Sequence, residues 1–161
     1  MRVGIHVQPD NSFDNFNLKY EKILDYNSIS NKRLNSSSPN FWNDVEKLDA
    51  FIFRFGQYDI EKVKASTILP VVEFVKKVPC FPNFKTSWHF DDKIRQYLVL
   101  KNMNLPIINS YIFWEKSDAL EWSKKANLPL VFKLKVGAGS RNVILIQTKK
   151  ELEQVIDLMF S

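Results

Sequence analysis

Glycine is scarce in this chain, with four residues among 161, and cysteine is scarcer, with one. The lone thiol, Cys80 in "VPCFP", closes no internal disulfide. A disulfide-stapled secreted scaffold is thereby excluded, and a reduced, buried thiol in a cytosolic protein is expected. No apolar run approaches the roughly 18 to 20 residues that span a bilayer, and no basic-then-apolar leader precedes the first strand. A cytoplasmic chain with no membrane partner follows. Low complexity is confined to the loop "NSSSPN" around Ser36–Ser38, and no internal repeat occurs. Basic residues outnumber acidic ones by five, 23 against 18, but they are scattered rather than massed. That pattern argues against a nucleic-acid partner and fits a solvated surface with room for a small anionic one.

What the chain has in quantity is apolar: 45% hydrophobic and 14% aromatic residues exclude disorder. The opening "MRVGIHV" reads as a strand, and "SFDNFNLKYEKIL" places Phe13, Phe16, Tyr20, Ile23 and Leu24 on one helical face. A weaker strand near Asn31–Leu34, a short helix "FWNDVEKL" and the apolar strand "DAFIFRF" follow. Then comes a long helix over Ile60, Val63, Ile68, Val72 and Val75, interrupted at Pro70, and a fourth strand at "VPCFPN". Strands alternating with helices imply parallel βαβ units. The expected fold class is therefore α/β, with residues 1–86 forming a small open, Rossmann-like sheet. Residues 87–105 supply a connecting helix with a Phe90, Ile94, Leu98 stripe. Residues 106–161 read as a small α+β unit built βαββα, from the strand "IINSYIFW" to a final helix capped by a Thr148/Glu151 box.

Half of the glycines, Gly137 and Gly139, fall inside "VFKLKVGAGSRNVILI", a loop between two apolar strands. A phosphate-binding P-loop needs Lys-Ser/Thr after its last glycine and a helix behind it, and neither is present. The dinucleotide fingerprint fails too, because its third glycine position is Asn142 and a strand follows. Two readings of the loop stay open. One is an ordinary hairpin turn. The other is a cover over a polyphosphate, since Lys133, Lys135, Ser140 and Arg141 offer cations and a hydroxyl around small residues.

The order "DDKIRQYLVLKNMNLP…SYIF…SDALEWSKKANLPLVFKLKVGAGSRNVILI…KKELEQVI" resembles the ATP-grasp superfamily, and within it the RimK-like and glutathione-synthetase-like members. In that family a lysine in an Asp-Lys helix, a lysine on a Pro-x-x-x-Lys strand and a Gly/Ser-rich hairpin loop surround a triphosphate. The resemblance covers Ser87–Met159, and the α/β unit before it looks like a pre-ATP-grasp domain. It implies that Lys133 meets the α- and β-phosphates of ATP and that Lys93 is a second phosphate- or adenine-side lysine. It also implies a lid of Gly137, Ala138, Gly139 and Ser140 over the β- and γ-phosphates. Lys135 stands where relatives often have proline or a small residue, and Asn142 where many have glycine. Arg54, at the carboxyl end of a strand, is the residue to grip an acceptor carboxylate. His89 reads as fixing a helix start, and Trp88, Trp114 and Trp122 as core or interface anchors.

The resemblance further implies Mg²⁺ bridging the phosphates, with ligands on strands after the lid domain, beyond Ser161. The sequence is thus expected to be the N-terminal part of an ATP-dependent carboxylate–amine ligase, inactive by itself. A small carboxylate-bearing or peptide acceptor belongs to the whole enzyme, and homo-oligomerisation stays open. The alternative is a stand-alone, non-catalytic nucleotide- or protein-binding module on the same scaffold. A nucleotide-sugar glycosyltransferase domain would need an Asp-x-Asp loop, which the sequence lacks.

Overall fold

The stretch "RVGIH", buried from its second residue onward, forms strand β1 (Arg2–His6) inside a parallel sheet. The structure is a computed structural model that describes residues 1–8, 14–137 and 143–161. Helix α1 (Asp14–Tyr26) packs on β1 and returns the chain to β2 (Ser30–Leu34), in register from Arg2↔Ser30 to His6↔Leu34. After the short α2 (Phe41–Val45), β3 (Ala50–Ile52) pairs with the other side of β1, and β4 (Cys80–Phe81) extends the sheet beyond β3. The order is β2-β1-β3-β4, all parallel, as expected of an α/β sheet. The chain leaves β1 on one side and comes back on the other. A topological switch point therefore lies at the carboxyl ends of β1 and β3, where open α/β sheets bind ligands.

One face of this sheet carries the core. Phe51 and Phe53, both fully buried, pack with Phe41, Val45, Leu48, Leu69 and Val72. Gly4 is small for a reason: a Cβ there would come within 2.5 Å of Leu48 and 2.8 Å of the Phe51 ring. Helix α3 (Asp59–Pro70) contributes Ala65, Ile68 and Leu69, then runs into a π-helical turn at Val71–Val75. Pro70 ends the regular helix as expected, because its nitrogen has no proton to give the preceding turn. Helix α4 (Phe84–Ser87) closes this first unit, Met1–Trp88.

Helix α1 is rotated from the stripe expected of it. Asn17 is its buried residue, with Tyr20, Glu21 and Leu24 half-buried, whereas Phe16 and Ile23 are exposed. Ion pairs explain part of the turn: Arg33 of β2 forks onto Glu21 and Asp14, drawing the polar side of α1 toward the sheet. The bond to Arg33 holds the Glu21 carboxyl below its ordinary range. Phe13 lies outside the described residues.

The second unit, His89–Ser161, contains α5 (Lys93–Asn102), α6 (Lys116–Lys125), the antiparallel ribbon β5 (Leu130–Lys133) and β6 (Val143–Ile146), and α7 (Lys149–Met159). Its core is Ala119, Ala126, Ile146, Leu152 and Ile156, with Leu130 and Phe132 packed against it. The capping box expected at Thr148 and Glu151 forms, so α7 begins where its sequence says. The strand expected over "IINSYIFW" does not form among the described residues. β-Propensity reflects packing on a neighbouring strand as much as any backbone preference. Here Tyr111 and Phe113 instead lie against Trp122 of α6, with ring centroids 4.6 and 5.1 Å apart. Trp122 is thus the core anchor it was expected to be, while Trp114 is exposed.

Lys149 joins the two helices of this unit. Its ammonium donates to the carbonyls of Ser123 (2.6 Å) and Ala126 (2.7 Å) at the end of α6. Lys149→Met keeps the stem and removes the donors. Loss of these charge-assisted bonds should cost about 1–3 kcal/mol, read as a lower melting temperature by circular dichroism. An unchanged melting temperature would mean that water replaces the ammonium without loss.

Candidate functional site

At the carboxyl end of the sheet, His6 is nearly fully buried and lies face-on to Phe53, with centroids 4.0 Å apart and planes at 15°. Its Nδ1 is 3.3 Å from the Arg54 carbonyl and its Nε2 is 3.0 Å from Ser36 Oγ. A carbonyl only accepts, so Nδ1 carries the proton and Nε2 accepts from the serine hydroxyl. Burial, helped by the nearby charge of Lys64, lowers the imidazole pKa to about 4 against the pull of the Arg54 carbonyl. Lys64 itself reaches Ser37 Oγ at 3.2 Å. The Arg54 guanidinium sits 3.7 Å over the Phe16 ring of α1, which brings the first turn of that helix to the end of β3. Next to Phe16, Asn17 is buried with its Oδ1 unpartnered. The switch point of the sheet thus gathers a neutral imidazole, two serine hydroxyls, a lysine and an arginine. Of these the sequence singled out only Arg54. Cys80 is no nucleophile, since burial and the charge of Glu73 push its thiol up to about 12.

The second unit gathers its charges at the start of α5. Asp92 caps that helix by accepting from the Arg95 N–H (3.0 Å), and its other oxygen lies 3.3 Å from Arg95 Nε and 3.4 Å from Lys135 Nζ. His89 helps fix the helix start, as expected, but through its main chain: its carbonyl accepts from the Asp92 N–H and the Gln96 amide. The Lys93 N–H donates to the Lys135 carbonyl at 2.9 Å, and the Lys93 ammonium to the Gly137 carbonyl at 2.8 Å. The Gly137 N–H points at both Asp91 oxygens, at 3.3 and 3.4 Å. Asp91 (φ 51°) and Gly137 (φ 116°) both adopt left-handed backbone, which suits glycine and which aspartate tolerates better than most other residues. Of the expected lid, Ala138, Gly139 and Ser140 lie outside the described residues, as do Arg141 and Asn142. The sequence flagged Lys93, Lys135 and Gly137 but not Asp91, whose partner is 46 residues away.

Lys133 ends β5 on the ribbon's outer face. Register places Leu130, Phe132 and Ile146 on the side of the core, and Val131, Leu145, Lys133 and Val143 on the opposite side. Val131 is 54% exposed and Leu145 56%, and the Lys133 side chain is exposed beside them. This surface is apolar and carries an ammonium at one end. Such a surface suits a ligand with a planar apolar part and an anionic tail. A divalent ion is another matter: no group of three or more His, Cys, Asp or Glu side chains stands together among the described residues. The described residues do not fit a magnesium centre.

An open parallel sheet followed by an Asp-Lys helix and an antiparallel ribbon carrying a second lysine is an ATP-grasp-like arrangement. The comparison with solved structures agrees. The whole chain superposes on a RimK-domain ATP-grasp protein from Sphaerobacter thermophilus DSM 20745, with a TM-score of 0.61 and 13% sequence identity. The chain spans 60% of the length of that protein. At such low identity the match establishes the fold. No protein-family model and no curated protein matches the sequence. Among the described residues no helix is long and apolar enough to cross a membrane.

Proposed function

We propose that the second unit binds ATP, with Lys133 and Lys93 on the phosphates and the outer face of the β5–β6 ribbon against the base. On this reading the chain is the N-terminal part of a cytoplasmic ATP-grasp enzyme. The enzyme as a whole would transfer a phosphoryl group to a carboxylate, and an amine or similar nucleophile would then displace phosphate from the acyl phosphate. The observation that carries the proposal is the outer ribbon face, where Val131, Val143 and Leu145 surround one lysine. Lys133 has no ion-pair partner among the described residues, so its charge is available to an anion. Arg54 and the polar groups at the switch point of the first sheet are the candidates for holding an acceptor carboxylate, by the chemistry of arginine and the position of the crevice.

A stand-alone binding module on the same scaffold is the second reading. A self-sufficient module would show a polar outer face, and the apolar ribbon face weighs against it. The test of the nucleotide site is a titration with fluorescent ATP. The 161-residue chain should bind weakly and turn nothing over, and Lys133→Ala should weaken binding about tenfold, the worth of one charge-assisted bond. Unchanged affinity with an unchanged circular dichroism spectrum would remove Lys133 from the site.

A further inference from the structure

A phosphate that meets Lys93 finds its ammonium partly in use. Its ammonium is already bonded to the Gly137 carbonyl at 2.8 Å, and the N–H of the same glycine is held between the two oxygens of Asp91. The two residues flanking Asp92 therefore grip both polar groups of one glycine, a cation on the acceptor and an anion on the donor. The grip is seated firmly. Lys93 N–H is bonded to the Lys135 carbonyl, and Asp92 reaches Lys135 Nζ, so the start of α5 and the end of the β5 limb are tied at four points.

We infer that Lys93 and Asp91 form a latch on Gly137 that a polyphosphate opens. At rest the ammonium lies on the glycine carbonyl, and an arriving phosphate draws it off, because an ammonium–phosphate bond is charge-assisted on both sides and an ammonium–carbonyl bond on one. Gly137 then loses one of its two ties, so occupancy of the phosphate site is felt at the glycine. Asp91 acts as a positioning residue with a second effect: its carboxylate holds the same glycine that the ammonium holds, and its negative charge opposes an arriving phosphate. The latch rests on the nucleotide reading above for its opening and on the contacts alone for its resting state.

The chain has four glycines, so labelling glycine carbonyls with ¹³C gives a spectrum of four resonances to follow. In nucleotide-free protein, Lys93→Met should move the Gly137 resonance, the other three serving as controls. If the Gly137 resonance stays in place, the latch is refuted whatever ATP does. Adding ATP to the wild type should move the same resonance toward its position in Lys93→Met, and ATP binding without that movement would overturn the opening. Asp91→Asn should tighten ATP binding by about threefold to fivefold, the worth of one partly exposed charge interaction. A residue needed only to build the turn would instead weaken binding when changed, so weaker or unchanged affinity refutes the role given to Asp91. If ATP binds neither protein, the nucleotide reading and the opening step fall together, while the nucleotide-free spectra still decide the resting contact.

Discussion

Phe51→Ala should lower the unfolding free energy by about 3–5 kcal/mol, the range for an aromatic side chain cut out of a packed core. Phe51 is fully buried at the middle of the first sheet, between β1 and β4. Its ring contacts the rings of Phe41 and Phe53 at centroid distances of 5.9 and 5.6 Å, the latter edge-on, and it lies over Gly4. Truncation would therefore leave a hole beside two aromatic rings and above a residue with no side chain to move into it. Urea denaturation followed by circular dichroism measures the loss. A cost below about 1 kcal/mol would mean that the sheet collapses freely around the site, contrary to the packing described. The pairing of Gly4 with Phe51 adds a control: Gly4→Ala should be less harmful in the presence of Phe51→Leu than alone, because the two residues compete for one space.

Acidification from pH 6.5 to 4.5 should cost about 2 kcal/mol through His6 alone. The folded imidazole has its pKa lowered from 6.5 to about 4, so between those values the unfolded chain takes up a proton that the native state refuses. Stability is then complete above pH 6.5 and falls as pH drops toward 4, below which this group adds no further loss. The window separates His6 from the paired carboxylates. Glu21, Asp44, Glu46, Glu121 and Glu151 all have their pKa lowered from ordinary values of 3.8 to 4.5, so their contribution is lost as pH falls through that range and below it. Urea denaturation at about pH 7 and 4.5, on the wild type and on His6→Gln, checks the claim. The variant is less stable at neutral pH but should lose far less on acidification. An equal loss in both proteins would place the acid sensitivity elsewhere.

The first unit is legible in the sequence because its two central strands are apolar runs. β1 is buried from Val3 to His6, and "FIF" at β3 does not alternate with polar residues, a continuity that marks a central parallel strand. α7 is legible from four residues, Thr148 to Glu151, because capping is a local reaction between near neighbours. Harder to see is anything decided by distant partners. The α1 stripe differs from its expected face because Arg33, from the next strand, holds Glu21 and Asp14 and so helps set which side of the helix faces inward. The stretch 107–114 has the composition of a strand, yet its aromatics find Trp122 instead. In the candidate site, Lys93, Lys133 and Gly137 follow from motif order, whereas Asp91 escapes because its contact with the Gly137 N–H spans 46 residues. His6 escapes too. A lone histidine in "VGIHV" looks like any strand-end residue until Ser36 and the Arg54 carbonyl are brought to its two nitrogens.

The β5–β6 ribbon has a consequence for how the protein behaves in a tube. Among the described residues the ribbon has two strands, each with a hydrogen-bonding edge that no third strand takes up, and the outer face between the edges is greasy. Such ribbons zip together across molecules unless repulsion keeps them apart. Lys133, exposed at the end of β5, supplies that repulsion. Because it is electrostatic, added salt screens it over roughly 8 Å at physiological strength and over less as salt rises. Concentrated stocks should therefore keep best in dilute buffer and cloud first in brine.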